Sequence, residues 1–291
     1  LKGRVLTIPN TQKERRILLI YGLHASLERM AGIAHYMSRY GTVTVPDLPG
    51  FGGMQPFYAI NQEPTFEAMA DYMAEFVRSH YGKKRFTIVG LSLGFIVATR
   101  MLQKYPELRE QVELTISIVG LLSKYDIAYG QKTRVSLGAI SGFCARKLPS
   151  KFIQHVILRR SAIRVTYLVI EELLMKKILQ RPMEDSEEER RRRIDFEIEL
   201  WEINDIRTYM KMVNLIMKLE PGDYVGLPIY HIVLDNDHLL NNAVTKQSME
   251  KVYSKVQIFK AVGAAHAPSV LATAEDTERY VPIELRELLE N

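Results

Sequence analysis

Short runs of aliphatic and β-branched residues alternate with amphipathic stretches through the first 120 residues or so. Residues 16–21 (RILLIY) end at Gly22, and residues 42–45 stop at the Pro46-Asp47-Leu48-Pro49-Gly50 turn. Together with residues 86–89 and 114–119 they are nearly continuous apolar segments of strand length. Strands apolar on both faces have to be covered on both sides, which predicts a mostly parallel α/β sheet with helices on both faces. Residues 5–8 read as an edge strand paired ahead of the first. Residues 27–40 and 65–81 carry helical spacing, with Met69, Tyr72, Met73, Phe76 and Val77 along one side.

After Leu122 the pattern changes. The next hundred residues hold no convincing strand, and several amphipathic helices are punctuated at Pro149 and Pro182. The last of these helices is expected from Ser186, with Glu189 in the capping-box position. Ile194, Ile198, Trp201 and Met212 would form its buried side. The four arginines 190–193 precede Asp195, Glu197 and Glu199, so mutual ion pairing explains them, and nucleic-acid binding is not expected. From Leu227 the alternation resumes, with strands at 228–234 and 256–259 and helices at 243–253 and 284–289. The expected organisation is a core of residues 1–122 and 223–291 interrupted by a helical cap, 123–222.

Chemistry concentrates where the strand 86–89 runs into Gly90-Leu91-Ser92-Leu93-Gly94 and a helical segment follows. A serine lifted on a strained strand-to-helix corner brings neighbouring chain close, so Gly90 and Gly94 must lack side chains. The helix starting at Leu93 points its N-terminal amides toward a developing oxyanion.

A serine hydroxyl needs a base, and histidine suits near neutral pH. Of the seven histidines, His35 and His80 fall on helices, His155 in the cap and His231 in a strand. His266 follows a strand through the small-residue loop Val262-Gly263-Ala264-Ala265 and is the preferred base. The acid that orients it is expected after the strand 228–234. Asp237 is preferred for its reach, with Asp235 and then Asp126 as alternatives. The oxyanion donors would be the amides of Leu93 and of Leu23, in the turn Gly22-Leu23-His24-Ala25-Ser26. Gly22 supplies turn geometry; His24 and Ser26 either line the pocket entrance or cap the next helix.

Composition narrows the setting. With 47% hydrophobic residues in 291, the chain can bury a real core. A single cysteine, Cys144, leaves no disulfide framework or multi-cysteine metal site, and points to a reducing, cytoplasmic compartment. No stretch reaches the roughly 18 apolar residues of a membrane span; residues 86–99 come nearest and contain the turn. The chain begins at Leu1, which leaves a removed leader open. The net charge is +5, but residues 123–181 hold twelve Lys and Arg against three Asp and Glu. Such a surplus on the cap suits an anionic membrane surface, although a solvated helical surface with scattered charges is the simpler account.

These motifs resemble the capped esterases and lipases of the α/β-hydrolase fold, over nearly everything outside the cap. Residues 17–22 resemble the strand leading into that family's His-Gly turn, with Tyr21 in place of histidine. Pro46-Asp47-Leu48-Pro49-Gly50-Phe51-Gly52 is similar to its Asp-x-Pro-Gly-x-Gly loop. Gly90-Leu91-Ser92-Leu93-Gly94 is similar to its elbow, and Tyr105-Pro106-Glu107 to the end of the following helix. Leu234-Asp235-Asn236-Asp237 is similar to its acid turn without the glycine, and Gly263-Ala264-Ala265-His266 to its histidine loop. The resemblance implies acyl transfer to water by Ser92, His266 and Asp237 on a small-molecule ester, without metal or organic cofactor. Serine at the elbow argues against the relatives that carry aspartate there. Thioester, lactone and carbon–carbon hydrolysis share the same triad, and some members only bind ligands. The apolar cap helices favour acyl chains or other greasy esters, with interfacial lipase activity as a secondary expectation.

Overall fold

Among the described residues seven strands form one sheet: β1 (Val5–Ile8), β2 (Arg16–Ile20), β3 (Thr42–Pro46), β4 (Phe86–Leu91), β5 (Val112–Ile118), β6 (Pro228–Leu234) and β7 (Lys255–Ala261). The computed structural model describes residues 1–173, 187–235, 237–261, 273–278 and 280–290. Strand order is β1-β3-β2-β4-β5-β6-β7, and every pairing is parallel except β1 with β3. The apolar runs sit where their pattern demands. Ile17 to Ile20 of β2, and Phe86, Ile88 and Val89 of β4, are wholly buried at the centre. The edge strand does not pair with β2 as expected. Both edges of β2 are taken by β3 and β4, so Val5 pairs antiparallel with Pro46.

Helices α1 (Leu27–Met37), α2 (Phe66–Tyr81) and α3 (Leu93–Lys104) fill the crossovers of the first half. Ser26 is buried and caps α1 by accepting the Arg29 amide at 3.4 Å, while Thr65 caps α2 by accepting that of Ala68 at 3.0 Å. Between β5 and β6 the described residues form helices rather than strands: α4 (Gln131–Cys144), α5 (Lys147–Phe152), a π turn (Ile153–Ile157), α6 (Arg160–Leu173), α7 (Glu187–Ile203) and α8 (Ile206–Ile216). The remainder is α9 (Asn242–Glu250), α10 (Ala274–Glu278) and α11 (Ile283–Glu290). Among the described residues no helix is long and apolar enough to cross a membrane.

The helical insertion departs from its sequence reading in two places. Helix α7 ends at Ile203 because Asp205 caps a new helix, accepting the Thr208 amide at 2.7 Å, so Met212 is buried on α8 instead. Ile194 and Ile198 pack with Ile163 in a small separate cluster. Two of the acids expected to pair with arginines 190–193 have partners on other helices. Asp195 pairs with Arg164 of α6, Glu197 with Arg29 of α1, and Arg192 reaches back to Glu188 at 2.6 Å. Ser186, the expected start of α7, lies outside the described residues.

Candidate active site

The corner between β4 and α3 is strained. Ser92 has φ 46° and ψ −112°, a conformation that costs a non-glycine residue of order 1–3 kcal/mol. Surrounding bonds hold it there. The Ser92 amide donates to the Ile118 carbonyl at 3.0 Å, and the Ser92 carbonyl accepts from Phe95 and Ile96. The flanking glycines are sterically required. A Cβ on Gly90 would lie 2.6 Å from Phe95 Cα, and one on Gly94 2.6 Å from the Tyr21 carbonyl oxygen. Gly94 thereby seats the first turn of α3 against the end of β2, beside the Gly22-Leu23 turn. Gly22 is tight as well, since its Cβ would come 3.3 Å from Ser92 Cβ.

Tyr21 stands where the resembling family carries histidine, and it is wholly buried. Its hydroxyl accepts the Leu48 amide at 2.7 Å and donates to Asp47 at 3.2 Å. Asp47 in turn takes the Arg4 guanidinium at 3.0 Å. The strand leading to the Leu23 turn is thus tied to the loop after β3.

Ser92 borders a cavity of about 670 Å³ whose walls are mostly apolar. Gly22 and Leu23 lie at the end of β2, and Met30 and Ile33 on α1. The insertion adds Leu137 from α4 and Tyr209, Val213 and Ile216 from α8. Among the described residues, four non-glycine residues have positive φ: His24, Asn61, Ser92 and Val119. Three of these, His24, Ser92 and Val119, line this one cavity. For β-branched Val119 the conformation is rarer still. Backbone strain therefore gathers around Ser92.

One wall is charged. Arg29 Nη2 lies 2.8 Å from Glu197 Oε1, and His24 Nε2 lies 3.3 Å from Glu197 Oε2. Tyr167 donates to the same carboxylate at 3.3 Å, and the Trp201 ring sits 4.0 Å from that of His24. Burial alone would raise the Glu197 pKa, but the His24 contact and the Arg29 charge outweigh it and hold the carboxyl below its usual range. Sequence reading missed this cluster. A signal was present: Glu197 interrupts the otherwise apolar stripe Ile194, Ile198, Trp201 at helical spacing.

The acid candidates separate by their partners. Asp237 lies at the C-terminal end of β6, its Oδ1 fixed by the amides of Leu239 at 2.7 Å and Leu240 at 3.3 Å. Asp235 is exposed and 3.5 Å from Lys260 Nζ. Asp126 is wholly buried, and its carboxylate accepts from the Leu122 and Ser123 amides and from Ser248 Oγ. Burial raises its pKa against those hydrogen bonds. Asp126 is thus committed to holding the loop after β5. His266 and the loop residues Val262, Gly263, Ala264 and Ala265 lie outside the described residues, as does Asn236. Among the described residues no group of three or more His, Cys, Asp or Glu is placed to hold a metal ion.

A family model for the α/β hydrolase fold matches residues 15–270. The chain belongs to the α/β-hydrolase-fold family. It is structurally similar to a thermophilic esterase from Thermogutta terrifontis, at TM-score 0.63 and 18% identity over 99% of this chain and 92% of that one. A carboxylesterase structure from the thaumarchaeon Nitrososphaera gargenis gives TM-score 0.65 and 13% identity, again over 99% and 92%. The enol-lactonase of Burkholderia xenovorans gives 0.57 and 14% over 89% and 87%. Curated protein sequences yield no match. The family match and these neighbours agree on the fold.

Proposed function

We propose that the protein is a serine hydrolase cleaving carboxylic esters with an apolar acyl group. The observation that carries this reading is Ser92, held at positive φ on a strand-to-helix corner and lining the wall of an apolar cavity. Strain of this kind persists only where the surrounding structure enforces it, and it presents the hydroxyl above the sheet.

In the proposed reaction Ser92 Oγ attacks the ester carbonyl and passes its proton to His266. The amides of Leu23 and Leu93 stabilise the tetrahedral oxyanion. His266 then protonates the leaving alcohol, and water attacks the acyl-serine by the reverse sequence. Asp237 orients His266 and stabilises its charged form. Two features support the placement of the base. β7 ends at Ala261, which borders the cavity. The five residues from there to His266 span up to about 17 Å when extended.

A cavity of about 670 Å³ has the volume of a site for a drug-sized ligand, and its walls favour aliphatic acyl groups. The helical insertion would act as the cap that selects them.

A panel of chromogenic esters from short to long acyl chains, with an aryl lactone included, tests the reading. Ser92→Ala is expected to lower kcat about 10⁶-fold and His266→Ala by a comparable factor. Folded wild-type protein that turns over none of the panel, or a Ser92→Ala protein as active as wild type, overturns it.

A further inference from the structure

Helix α4 turns small residues inward and, apart from Leu137 on the cavity wall, most of its large apolar ones outward. Gly138 and Ser141 are buried, and Gly138 and Gly142 let the helix approach Met217 and Asn214 at the end of α8. Asn214 Nδ2 donates to the Gly138 carbonyl across that contact at 2.5 Å. Away from that contact Val135 is 65% exposed and Ile140 60%, and Phe143 is exposed as well. Helix α5 follows directly and exposes Leu148 (79%) and, one turn on, Phe152. Among the described residues, seven of the eighteen exposed large hydrophobic ones fall within residues 135–157. Single exposed apolar residues are ordinary, but such a concentration marks a docking surface.

The charge of the same segment says what docks. Residues 127–170 contain no Asp or Glu and eight Lys or Arg. Arg160 and Arg164 pair with Glu202 and Asp195. Lys132, Arg134, Arg146, Lys147 and Lys151 have no carboxylate partner among the described residues. We propose that α4, α5 and the π turn dock on an anionic lipid bilayer. Their apolar side chains would enter the interface while the cations meet headgroup phosphates. A second copy of the chain fits this face poorly. A two-fold dimer would set the same patch against itself, cation against cation, with no acid to neutralise them. A nucleic acid would use the cations and leave the apolar side chains without a partner.

Docking at this face would also place lipid against the helix whose Leu137 walls the cavity. That deepens the proposed hydrolase reading toward lipid-like esters, but the binding itself needs no chemistry. Ser92→Ala should therefore dock as well as wild type, which separates failure of this inference from failure of the catalytic one.

The test is co-sedimentation of the full chain with vesicles of phosphatidylcholine alone or mixed with phosphatidylglycerol, at low and high salt. Binding is expected on the mixed vesicles, weakened by salt. Lys147→Gln with Lys151→Gln should lower partitioning about 25-fold, roughly fivefold for each cation. Leu148→Ser should lower it about tenfold. Both variants should keep wild-type thermal unfolding and turnover of a water-soluble short-chain ester. Absence of vesicle binding, equal binding to both vesicle types, or partitioning unchanged in both variants overturns the inference. So does a dimer in sedimentation equilibrium that Leu148→Ser dissociates.

Discussion

Glu197 of α7 and Arg29 of α1 meet at 2.8 Å across the boundary between the helical insertion and the sheet domain, 168 residues apart in sequence. Both side chains are largely buried, so the pair is enclosed with His24, the residue after the proposed oxyanion donor Leu23. Removing one partner leaves the other charge uncompensated. Glu197→Ala is expected to destabilise the protein by about 3 kcal/mol in urea unfolding, and Glu197→Gln by less. The carboxyl is held below its ordinary pKa of 4.5, so its contribution is complete above that value. It is lost as pH falls through the lowered folded-state value. The difference between wild type and Glu197→Gln should therefore shrink on acidification.

His231 provides a test with the opposite chemistry. It is wholly buried in β6, with Nδ1 3.0 Å from Ser117 Oγ, and burial pushes its pKa down from 6.5 to about 4 against the opposing effect of the Ser117 backbone. The folded protein keeps this imidazole neutral while the unfolded chain protonates it. Stability should be full above about pH 6.5 and fall by about 1.4 kcal/mol per pH unit below it. By pH 4 the loss reaches about 3 kcal/mol. Urea unfolding of wild type and His231→Gln between pH 7 and 4 checks this, and the variant should lack that share of the slope.

What sequence could reveal divides along physical lines. The strands were legible because residues buried on both faces form unbroken apolar runs, as in 16–21 and 86–89. The corner at Ser92 was legible because glycine spacing records a close approach of backbone to backbone. The antiparallel pairing of Val5–Ile8 with β3 was not, since pairing depends on which sheet edge is left open. The partner of Glu197 was hidden because local spacing favours neighbours three or four residues away. The positive φ of Val119 has no sequence signal at all, because a β-branched residue adopts it only under tertiary constraint. Helix α4 shows amphipathic spacing, but which side faces out is set by Gly138 and Gly142 against α8.

Gly94 tests whether the corner is sterically required. An added Cβ would strike the carbonyls of Ile20 and Tyr21, which are main chain and cannot rotate away. Gly94→Ala should destabilise the protein by about 3 kcal/mol. Where it folds, ester turnover should fall at least about 100-fold, as for the loss of an oxyanion donor. Circular dichroism with the turnover assay separates the two effects. Wild-type stability and activity would mean that the corner tolerates a side chain.

The three acid candidates should behave differently. Asp237→Asn is expected to lower kcat about 10⁴-fold with little change in thermal unfolding. Asp235→Asn removes only an exposed contact with Lys260 and should leave turnover within about twofold. Asp126→Asn should act on stability, since Ser248 and two backbone amides depend on its carboxylate. Turnover and melting measured on all three variants would expose a wrong assignment.

The central claim concerns the reactivity of one oxygen, and a fluorophosphonate probe reads it directly. Folded protein treated with the probe and digested for mass spectrometry should carry one adduct, on the peptide containing Ser92, absent after denaturation and in Ser92→Ala. Folded protein that stays unlabelled at Ser92, or carries its adduct on another residue, contradicts the account.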